Sequence, residues 1–246
     1  SPGLIDSAHG IINYANNLDW HDVPLGAYIT KNTGLPVKIG NDANVAALGE
    51  AMFGAGKGCK NVVMVTLGTG VGGGLILDGK LFEGNESKGA ELGHMVLVAG
   101  GEQCSCGRKG CIEAYASATA LIRDTKRAMQ QHPESAMWKF SPTLEAVDGR
   151  TSFECAKAGD AAAAAVVDAY LFHLSEGLLN FCNIFRPEVI ILGGGVCAQG
   201  KYLTDRLDAL LAAANYGYEG SPRVRLEIAS LGNDAGVIGA ASLLIG

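Results

Sequence analysis

The sequence ELGHMVLVAGGEQCSCGRKGCIE, residues Glu91–Glu113, combines two features that seldom occur together by chance. One feature is a set of soft metal ligands. It consists of His94 and, ten to seventeen residues later, Cys104, Cys106 and Cys111. The other is a glutamate at each edge of the stretch. Three thiolates and one imidazole are the ligand set of a closed, tetrahedral, structural zinc site. The stretch therefore predicts a Zn²⁺ ion that shapes a pocket and leaves the chemistry to other groups.

The spacing Cys-x-Cys-x4-Cys also has less specific interpretations, namely chance or redox chemistry. It contains no Cys-x-x-Cys pair, and Gly107 and Gly110 favour a knuckle that closes around an ion. Glutamates are usually solvated surface groups. Glu91 and Glu113 differ because the metal ligands fix their positions, and paired carboxylates suit the adjacent hydroxyls of a sugar.

Composition narrows the class of protein. The 246 residues suit one large domain or two modest ones, and hydrophobic residues make up 48%. With 19 basic against 25 acidic residues and no Lys/Arg cluster, the chain is a poor match to a nucleic-acid binder. No apolar run approaches the ~18–20 residues of a membrane span. Seven cysteines without a disulfide framework favour a reducing, cytoplasmic setting. The cysteines outside the cluster are expected to act as small hydrophobes: Cys59, Cys155, Cys182 and Cys197.

An α/β pattern places further polar residues at a strand end. Val37–Gly40 is predicted to form a short strand, followed by Asn41, Asp42 and Asn44 and then by the helix AALGEAMFG. Open α/β sheets place their active residues at this kind of junction. The simpler interpretation is that Asp42 or Asn44 is only the N-cap of the helix. In the sugar-site interpretation, Asp42 is the candidate general base.

Two glycine-rich turns follow predicted buried strands. Val62–Leu67 leads into a glycine run, 68–74, and then into a second strand, LILDG. Glycine turns let backbone N–H groups approach an anion, but the element that follows is a strand, so this is neither a P-loop nor a dinucleotide fingerprint. The strand Val189–Leu192 leads through Gly193, Gly194 and Gly195 to a helix near Leu203–Ala214, which suits contact with a nucleotide.

The remaining elements are predicted from periodicity and turn residues. They are a hairpin over Gly3–Asn17 that turns at Ser7–Gly10, helices at Pro24–Thr33, Tyr115–Gln131 and Ala161–Phe185, an aperiodic loop over His132–Arg150, a strand at Val224–Ala229, and a last helix capped by Asn233 and Asp234 that runs to Leu244.

Five motifs in this order resemble the ROK family of sugar kinases and repressors. They are GNDANVAALGE, LGTGVGGG, ELGH, CSCGRKGCIE and LGGGV, and within the family the chain is most similar to the bacterial glucokinases. The resemblance covers nearly the whole chain. It implies an actin-like, ribonuclease-H-like ATPase fold with two α/β lobes and the sugar between them. The expected small lobe comprises residues 1–54 with 233–246, and the large lobe residues 55–232.

The resemblance also implies roles for individual residues. Asp42 resembles the catalytic base, and the residues that resemble sugar ligands are Asn41, Asp42, Glu91, His94 and Glu113. The histidine is in addition the metal ligand beside Cys104, Cys106 and Cys111. Gly68, Thr69 and Gly70 resemble a phosphate loop, and Gly193, Gly194 and Gly195 an adenosine loop. The implied reaction transfers the γ-phosphoryl group of ATP, bound with Mg²⁺, to the 6-hydroxyl of glucose, and the implied assembly is a dimer or tetramer.

One part of the family pattern has no match in these residues. Family kinases carry a strand and a DxGGT-like phosphate loop ahead of these motifs, so we expect negligible kinase activity from this polypeptide alone. The alternatives are a kinase for another hexose or for N-acetylmannosamine, and the sugar-sensing module of a ROK repressor. Polyphosphate as donor is less favoured, because the sequence shows no basic channel for it.

Overall fold

The computed structural model describes residues 3–15, 18–214 and 222–245. Within these ranges the strands are β1 Leu4–Asp6, β2 Ile11–Ala15, β3 Trp20–Val23, β4 Val62–Leu67, β5 Val71–Leu77, β6 Lys80–Phe82, β7 Val189–Gly193 and β8 Arg225–Ile228. The helices are α1 Leu25–Thr33, α2 Asp42–Phe53, α3 Glu113–Ala116, α4 Ala118–Gln131, α5 Met137–Phe140, α6 Thr151–Lys157, α7 Ala161–Phe185, α8 Lys201–Ala214 and α9 Asp234–Ser242.

The larger sheet has the strand order β6-β5-β4-β7-β8. β4 pairs in parallel with β7 and antiparallel with β5. All of β7 and nearly all of β4 are buried, as expected for apolar central strands that are covered on both faces. Val63 and Val65 pack into the core cluster that contains Leu178 of α7, whereas Val62 and Met64 pack with residues of α2. The predicted strands at Val62–Leu67 and Val189–Leu192 are confirmed, the second one residue longer.

The smaller sheet has the order β1-β2-β3 and is antiparallel throughout. The predicted hairpin with its turn at Ser7–Gly10 is confirmed, although its last two residues, 16 and 17, lie outside the described residues. The helix α1 is confirmed as well, and it ends at Gly34 in the left-handed conformation. β3 was not predicted.

The predicted strand at Val37–Gly40 is wrong. These residues lie outside the strands, although Val37 and Ile39 pack against Ile5 and Ile12 of the smaller sheet. The alternating apolar residues of this segment are therefore buried by packing, although the segment forms no hydrogen-bonded strand ladder.

The glycine run contributes to a strand more than to a turn. β5 starts at Val71 and not at Leu75, so the predicted boundary is wrong. A Cβ atom at Gly72 would lie 2.5 Å from Thr66 Oγ1, and one at Gly74 would lie 2.5 Å from Ala47 Cβ. Glycine is needed at Gly74 because α2 lies directly on it, and at Gly72 because the Thr66 side chain of the neighbouring strand occupies the space.

The long helix α7 agrees with its predicted bounds and packs against α4, α6 and α8. Asp160 caps its first turn by accepting a hydrogen bond from Ala163 N–H. Among the described helices it is the one long and apolar enough to cross a membrane by length and composition, and half of that window is buried inside the protein. Its packing is that of a core helix.

Two predictions between the metal motif and α7 need correction. The helix predicted at Tyr115–Gln131 is broken at Ser117, whose Oγ accepts a hydrogen bond from Ala120 N–H and caps α4. The predicted loop at His132–Arg150 contains α5, and its Met137 is fully buried beside Met129. The helix α6, directly after that loop, was not predicted.

The chain end agrees with prediction to within two residues at each boundary. β8 is shorter than predicted by one residue at each end, α9 ends at Ser242 and not at Leu244, and α8 begins at Lys201. Asn233 precedes α9 but makes no side-chain capping bond, so its predicted capping role is wrong. Cys155, Cys182 and Cys197 are buried as predicted, whereas Cys59 is half-buried.

Helix α9 packs closely on α2 through glycines. A Cβ atom at Gly239 would overlap the backbone oxygen of Val45, and one at Gly49 would overlap that of Ala235. Gly236, on the same helix, has no atom within 4 Å of where its Cβ would be. The two helix backbones therefore contact each other at specific positions.

This contact predicts opposite effects for two substitutions on α9. Gly239→Ala should lower the free energy of unfolding by about 1–3 kcal/mol, because the methyl group would have to separate the helices. Gly236→Ala should leave it unchanged or raise it by up to about 1 kcal/mol, since alanine favours a helix over glycine. Urea unfolding followed by circular dichroism measures both, and equal effects would contradict the close packing.

Candidate active site

A cleft of about 640 Å³ opens where α2, the smaller sheet and residues 87–94 meet. Four of the predicted sugar ligands line it: Asn41, Asp42, Glu91 and His94. Tyr14, Asn44 and Ser87 line it too, although no role was predicted for Tyr14 or Ser87. The structure therefore brings residues from widely separated stretches of the chain to one cavity.

Asn41 fixes the entrance of α2. Its Oδ1 accepts hydrogen bonds from Ala43 N–H at 3.0 Å and Asn44 N–H at 3.2 Å, and its Nδ2 donates to Gly3 O at 3.1 Å. Asn41 is therefore the N-cap, and the interpretation of Asp42 or Asn44 as the cap is wrong. Asp42 is the first residue of the helix. Its exposed carboxylate lies at the helix N-terminus, where the backbone dipoles stabilise negative charge.

Asp42 also borders a second cavity, of about 460 Å³. Other lining residues come from the two glycine turns and the sheet: Thr66, Gly68, Gly70 and Gly194. Gly194 has a φ of 89°, and a Cβ there would overlap the backbone of Leu67, so only glycine fits. Asp42 thus borders both the larger cleft and a smaller cavity to which the two glycine turns contribute.

Three of the predicted nucleotide residues do not line this second cavity. Gly193 ends the buried strand β7, and Gly195 begins a short 3-10 turn. Thr69 lies in the turn, where its carbonyl oxygen accepts a hydrogen bond from Thr119 Oγ1 at 2.7 Å. Their role in nucleotide binding stays a prediction.

The predicted metal ligands converge. One donor atom from each of His94, Cys104, Cys106 and Cys111 lies within 4.8 Å of the others. The Cys106 and Cys111 sulfurs are 3.8 Å apart, and His94 Nδ1 is 3.6 Å from Cys104 Sγ. Two sulfurs bound at 2.3 Å by a tetrahedral ion would be about 3.8 Å apart. The donor set and its spacing therefore fit a tetrahedral metal ion.

Burial affects the cysteines of this cluster differently. Burial raises the pKa of the Cys111 thiol to about 12 and also raises that of Cys104. The backbone N–H of Arg108 lowers the pKa of Cys106, which is exposed. A cation among the three sulfurs would offset the cost of holding buried thiolates.

Glu113 connects the metal cluster to the glycine turn. Its Oε2 accepts a hydrogen bond from Val71 N–H at 3.1 Å, and its Oε1 accepts one from Ser105 Oγ at 2.5 Å. It lines the smaller cavity with Asp42, whereas Glu91 is exposed on the larger one. The structure thus places the two predicted carboxylates on different cavities.

Ser87, one of the two cleft residues that sequence reasoning missed, belongs to a strained turn beside the cleft. Ser87 Oγ lies 2.5 Å from Ser7 Oγ, which also donates to Glu83 Oε2 at 3.2 Å. Glu86, Ser87 and Ala90 all have positive φ angles. The sequence signal was weak, consisting only of a polar segment between Gly84 and Gly89.

Comparison with known proteins identifies the family. The sequence model of the ROK family matches residues 1–246. The chain belongs to the ROK family. It has the mixed α/β fold of ROK sugar kinases, within the actin-like ATPase superfamily.

Relatives in the family include kinases and repressors. A glucokinase of Thermotoga maritima is 39% identical over 99% of this chain and 77% of its own length. The structure of a ROK family glucokinase from Streptomyces griseus, in complex with glucose and AMPPNP, superimposes with a TM-score of 0.86 at 36% identity, covering 98% of this chain and 78% of that one. A xylose repressor of Caldicellulosiruptor bescii is 30% identical over 99% of this chain and 61% of its own length.

The cap at α2 predicts a difference between two variants of Asn41. Asn41→Ala removes the capping oxygen and should lower the free energy of unfolding by about 1 kcal/mol. Asn41→Asp keeps an acceptor and adds a favourable charge at the helix N-terminus, so it should lower the free energy of unfolding by only about a few tenths of a kcal/mol. Denaturant unfolding without ligand measures both. Equal losses would mean that the bond to Gly3 O, and not the cap, is what matters.

Proposed function

We propose that the function of this protein is ATP-dependent phosphorylation of glucose at its 6-hydroxyl group. The observation that carries this proposal is the position of Asp42 between the two cavities. A base at that boundary can take the proton of a hydroxyl in the larger cleft whose oxygen attacks a phosphorus atom in the smaller cavity. The glucokinases among the relatives, at 39% identity for that of Thermotoga maritima, support the same reaction.

Asp42 acts as the general base. Its carboxylate accepts the proton of the 6-hydroxyl group as that oxygen attacks the γ-phosphorus, and ADP leaves on the opposite side. The acid formed is Asp42 in its protonated state, and the oxygen–phosphorus bond of the product replaces the one broken in ATP. Mg²⁺ bound with ATP would neutralise charge on the phosphates.

The larger cleft is the proposed sugar site. Asn41, Glu91 and His94 are proposed to fix the hydroxyl groups of the ring, since amide, carboxylate and imidazole groups each offer hydrogen bonds to a polyol. Glu113 is also proposed as a sugar ligand, and its position at the smaller cavity puts it within the region of the reacting hydroxyl. Thr69 and the glycines of both turns, Gly68, Gly70, Gly193, Gly194 and Gly195, are proposed to hold ATP.

The metal cluster is proposed to hold a structural Zn²⁺ ion through His94, Cys104, Cys106 and Cys111. The ion supplies rigidity and takes no part in proton or phosphoryl transfer. His94 lines the sugar cleft and Glu113 bonds Ser105 within the metal loop. Fixing this loop therefore orients two of the proposed sugar ligands together.

The lobe division 1–54 with 233–246 against 55–232 is likewise proposed, with closure of the lobes excluding water from the reacting groups. A homo-oligomer, a cytoplasmic location, and the absence of nucleic-acid and membrane partners complete the proposal. Polyphosphate remains the less favoured donor.

Two alternatives share the same sugar cleft. The first is a kinase for another hexose or for N-acetylmannosamine. The second is the sugar-sensing module of a repressor, which the 30% identity to a xylose repressor favours. Asp42 supports a kinase over a sensor, since binding without chemistry requires no base.

Replacing the base separates catalysis from binding. In the full-length protein, Asp42→Asn should lower kcat by roughly two to four orders of magnitude, while glucose binds within about threefold of its original Kd. A coupled assay for ADP and calorimetric titration of glucose measure the two effects. Asp205→Asn, an exposed carboxylate on α8, is the control and should change neither. Retained turnover in Asp42→Asn would remove Asp42 from the role of base.

The metal proposal predicts one zinc ion per chain. Cys111→Ser should abolish stoichiometric zinc and lower the thermal midpoint, and a strong chelator should lower the midpoint of the unaltered protein. Cys59→Ser, outside the cluster, should keep both zinc and stability. Plasma mass spectrometry and thermal-shift assays measure these quantities. A full zinc content in Cys111→Ser would contradict the proposed ligand set.

A further inference from the structure

Asn44 is a buried polar residue without an evident structural task. It is 3% exposed, and its side-chain Oδ1 has no hydrogen-bond partner among the described residues. Most buried polar atoms are paired, because an unpaired one keeps the cost of leaving water and gains nothing in return. The unpaired oxygen therefore indicates that a group outside the described residues forms a hydrogen bond with Asn44.

The usual reason for asparagine in the first turn of a helix does not apply here. Asparagine is favoured at helix N-termini because its oxygen caps a backbone N–H. Asn41 already performs this task, and one of the N–H groups it accepts from is that of Asn44 itself. The side chain of Asn44 is thus free of the capping role.

The place of Asn44 suggests the missing partner. It lines the larger cleft with Asn41, Asp42 and Glu91, and it is absent from the lining of the smaller cavity. Its amide can present either oxygen or nitrogen after a half-turn of the group, so it can both accept from and donate to a hydroxyl. A polyol in the cleft offers such groups.

We propose that Asn44 is a specificity-determining residue whose amide hydrogen-bonds a hydroxyl group of the bound hexose. This rests on the proposed function, which places a hexose in the larger cleft. The hydroxyl is one that does not react, because the attacking group must lie beside Asp42 at the boundary of both cavities. Asn44 therefore selects among sugars and leaves the phosphoryl transfer to Asp42.

The expected effect is on binding and not on turnover. In the full-length protein, Asn44→Ala should raise the Kd and KM for glucose roughly three- to tenfold, with kcat within about twofold. The thermal midpoint without sugar should stay the same or rise, because the substitution removes an unpaired polar group. Asn180→Ala, an exposed residue of α7, is the matched control and should change none of these quantities.

Deoxy analogues identify the hydroxyl. Calorimetry with 1-, 2-, 3-, 4- and 6-deoxyglucose on the unaltered protein, Asn44→Ala and Asn44→Ser forms a set of double-mutant cycles. For the contacted hydroxyl, the deoxy analogue should bind the unaltered protein and Asn44→Ala equally. For 6-deoxyglucose, Asn44→Ala should weaken binding by the same factor as it does for glucose.

The outcomes separate this proposal from the proposed function. If Asn44→Ala lowers the affinity for every analogue equally and also lowers the thermal midpoint without sugar, Asn44 has a structural role and the proposal is overturned. Unchanged binding of glucose in Asn44→Ala would overturn it too. Failure of the unaltered protein to bind any hexose would instead refute the proposed function itself, and with it the role of Asn44.

Discussion

The close contact of α2 with the larger sheet positions the candidate site. Ala47 of α2 lies over Gly74, where any side chain would collide with the helix, and Ala43 lies close to Gly72. Gly in a strand weakens that strand, since it offers no side chain for packing. Here the loss is offset by the buried contact between helix and sheet. The other side of α2 contacts α9 through Gly49, so the helix is held on both sides and its first residue, Asp42, has a defined position between the two cavities.

Two carboxylates extend this arrangement to the ends of α2 and to the metal loop. Glu50 is fully buried, and its oxygens accept hydrogen bonds from Leu231 N–H at 2.7 Å and Ala55 N–H at 2.8 Å. It therefore joins the end of α2 to the connection between α2 and β4, which contains Ala55, and to the connection between β8 and α9, which contains Leu231. Glu113 likewise joins two segments, because it accepts hydrogen bonds from Val71 N–H at the start of β5 and from Ser105 Oγ in the metal loop. Because a buried carboxylate is costly unless several donors surround it, Glu50 fixes backbone segments that would otherwise be independent, and the half-buried Glu113 links the glycine turn to the metal loop.

Prediction from sequence succeeded where local pattern and burial coincide. The bounds of α7 follow from its apolar composition and from Pro187 beyond its end, and β7 follows from a short apolar run before glycines. It failed where the partner of a segment decides its conformation. The segment Val37–Gly40 alternates as a strand does, yet its apolar side chains pack without joining a sheet, and the glycine run that resembles a turn belongs from Val71 onward to strand β5. Neither outcome can be read from neighbouring residues alone.

The candidate site divides in the same way. The metal ligands lie within eighteen residues of one another, so their spacing alone restricted where they could meet, and they do meet. Glu113 belongs to the same stretch, but its hydrogen bonds to Val71 and Ser105 turn it toward the smaller cavity, and these bonds depend on the sheet. Asn44 shows the limit most clearly. In sequence it is one more polar residue at a helix start, where capping explains it. Only the structure assigns the cap to Asn41, and that assignment leaves Asn44 with a buried, unpaired oxygen in a residue that lines the cleft.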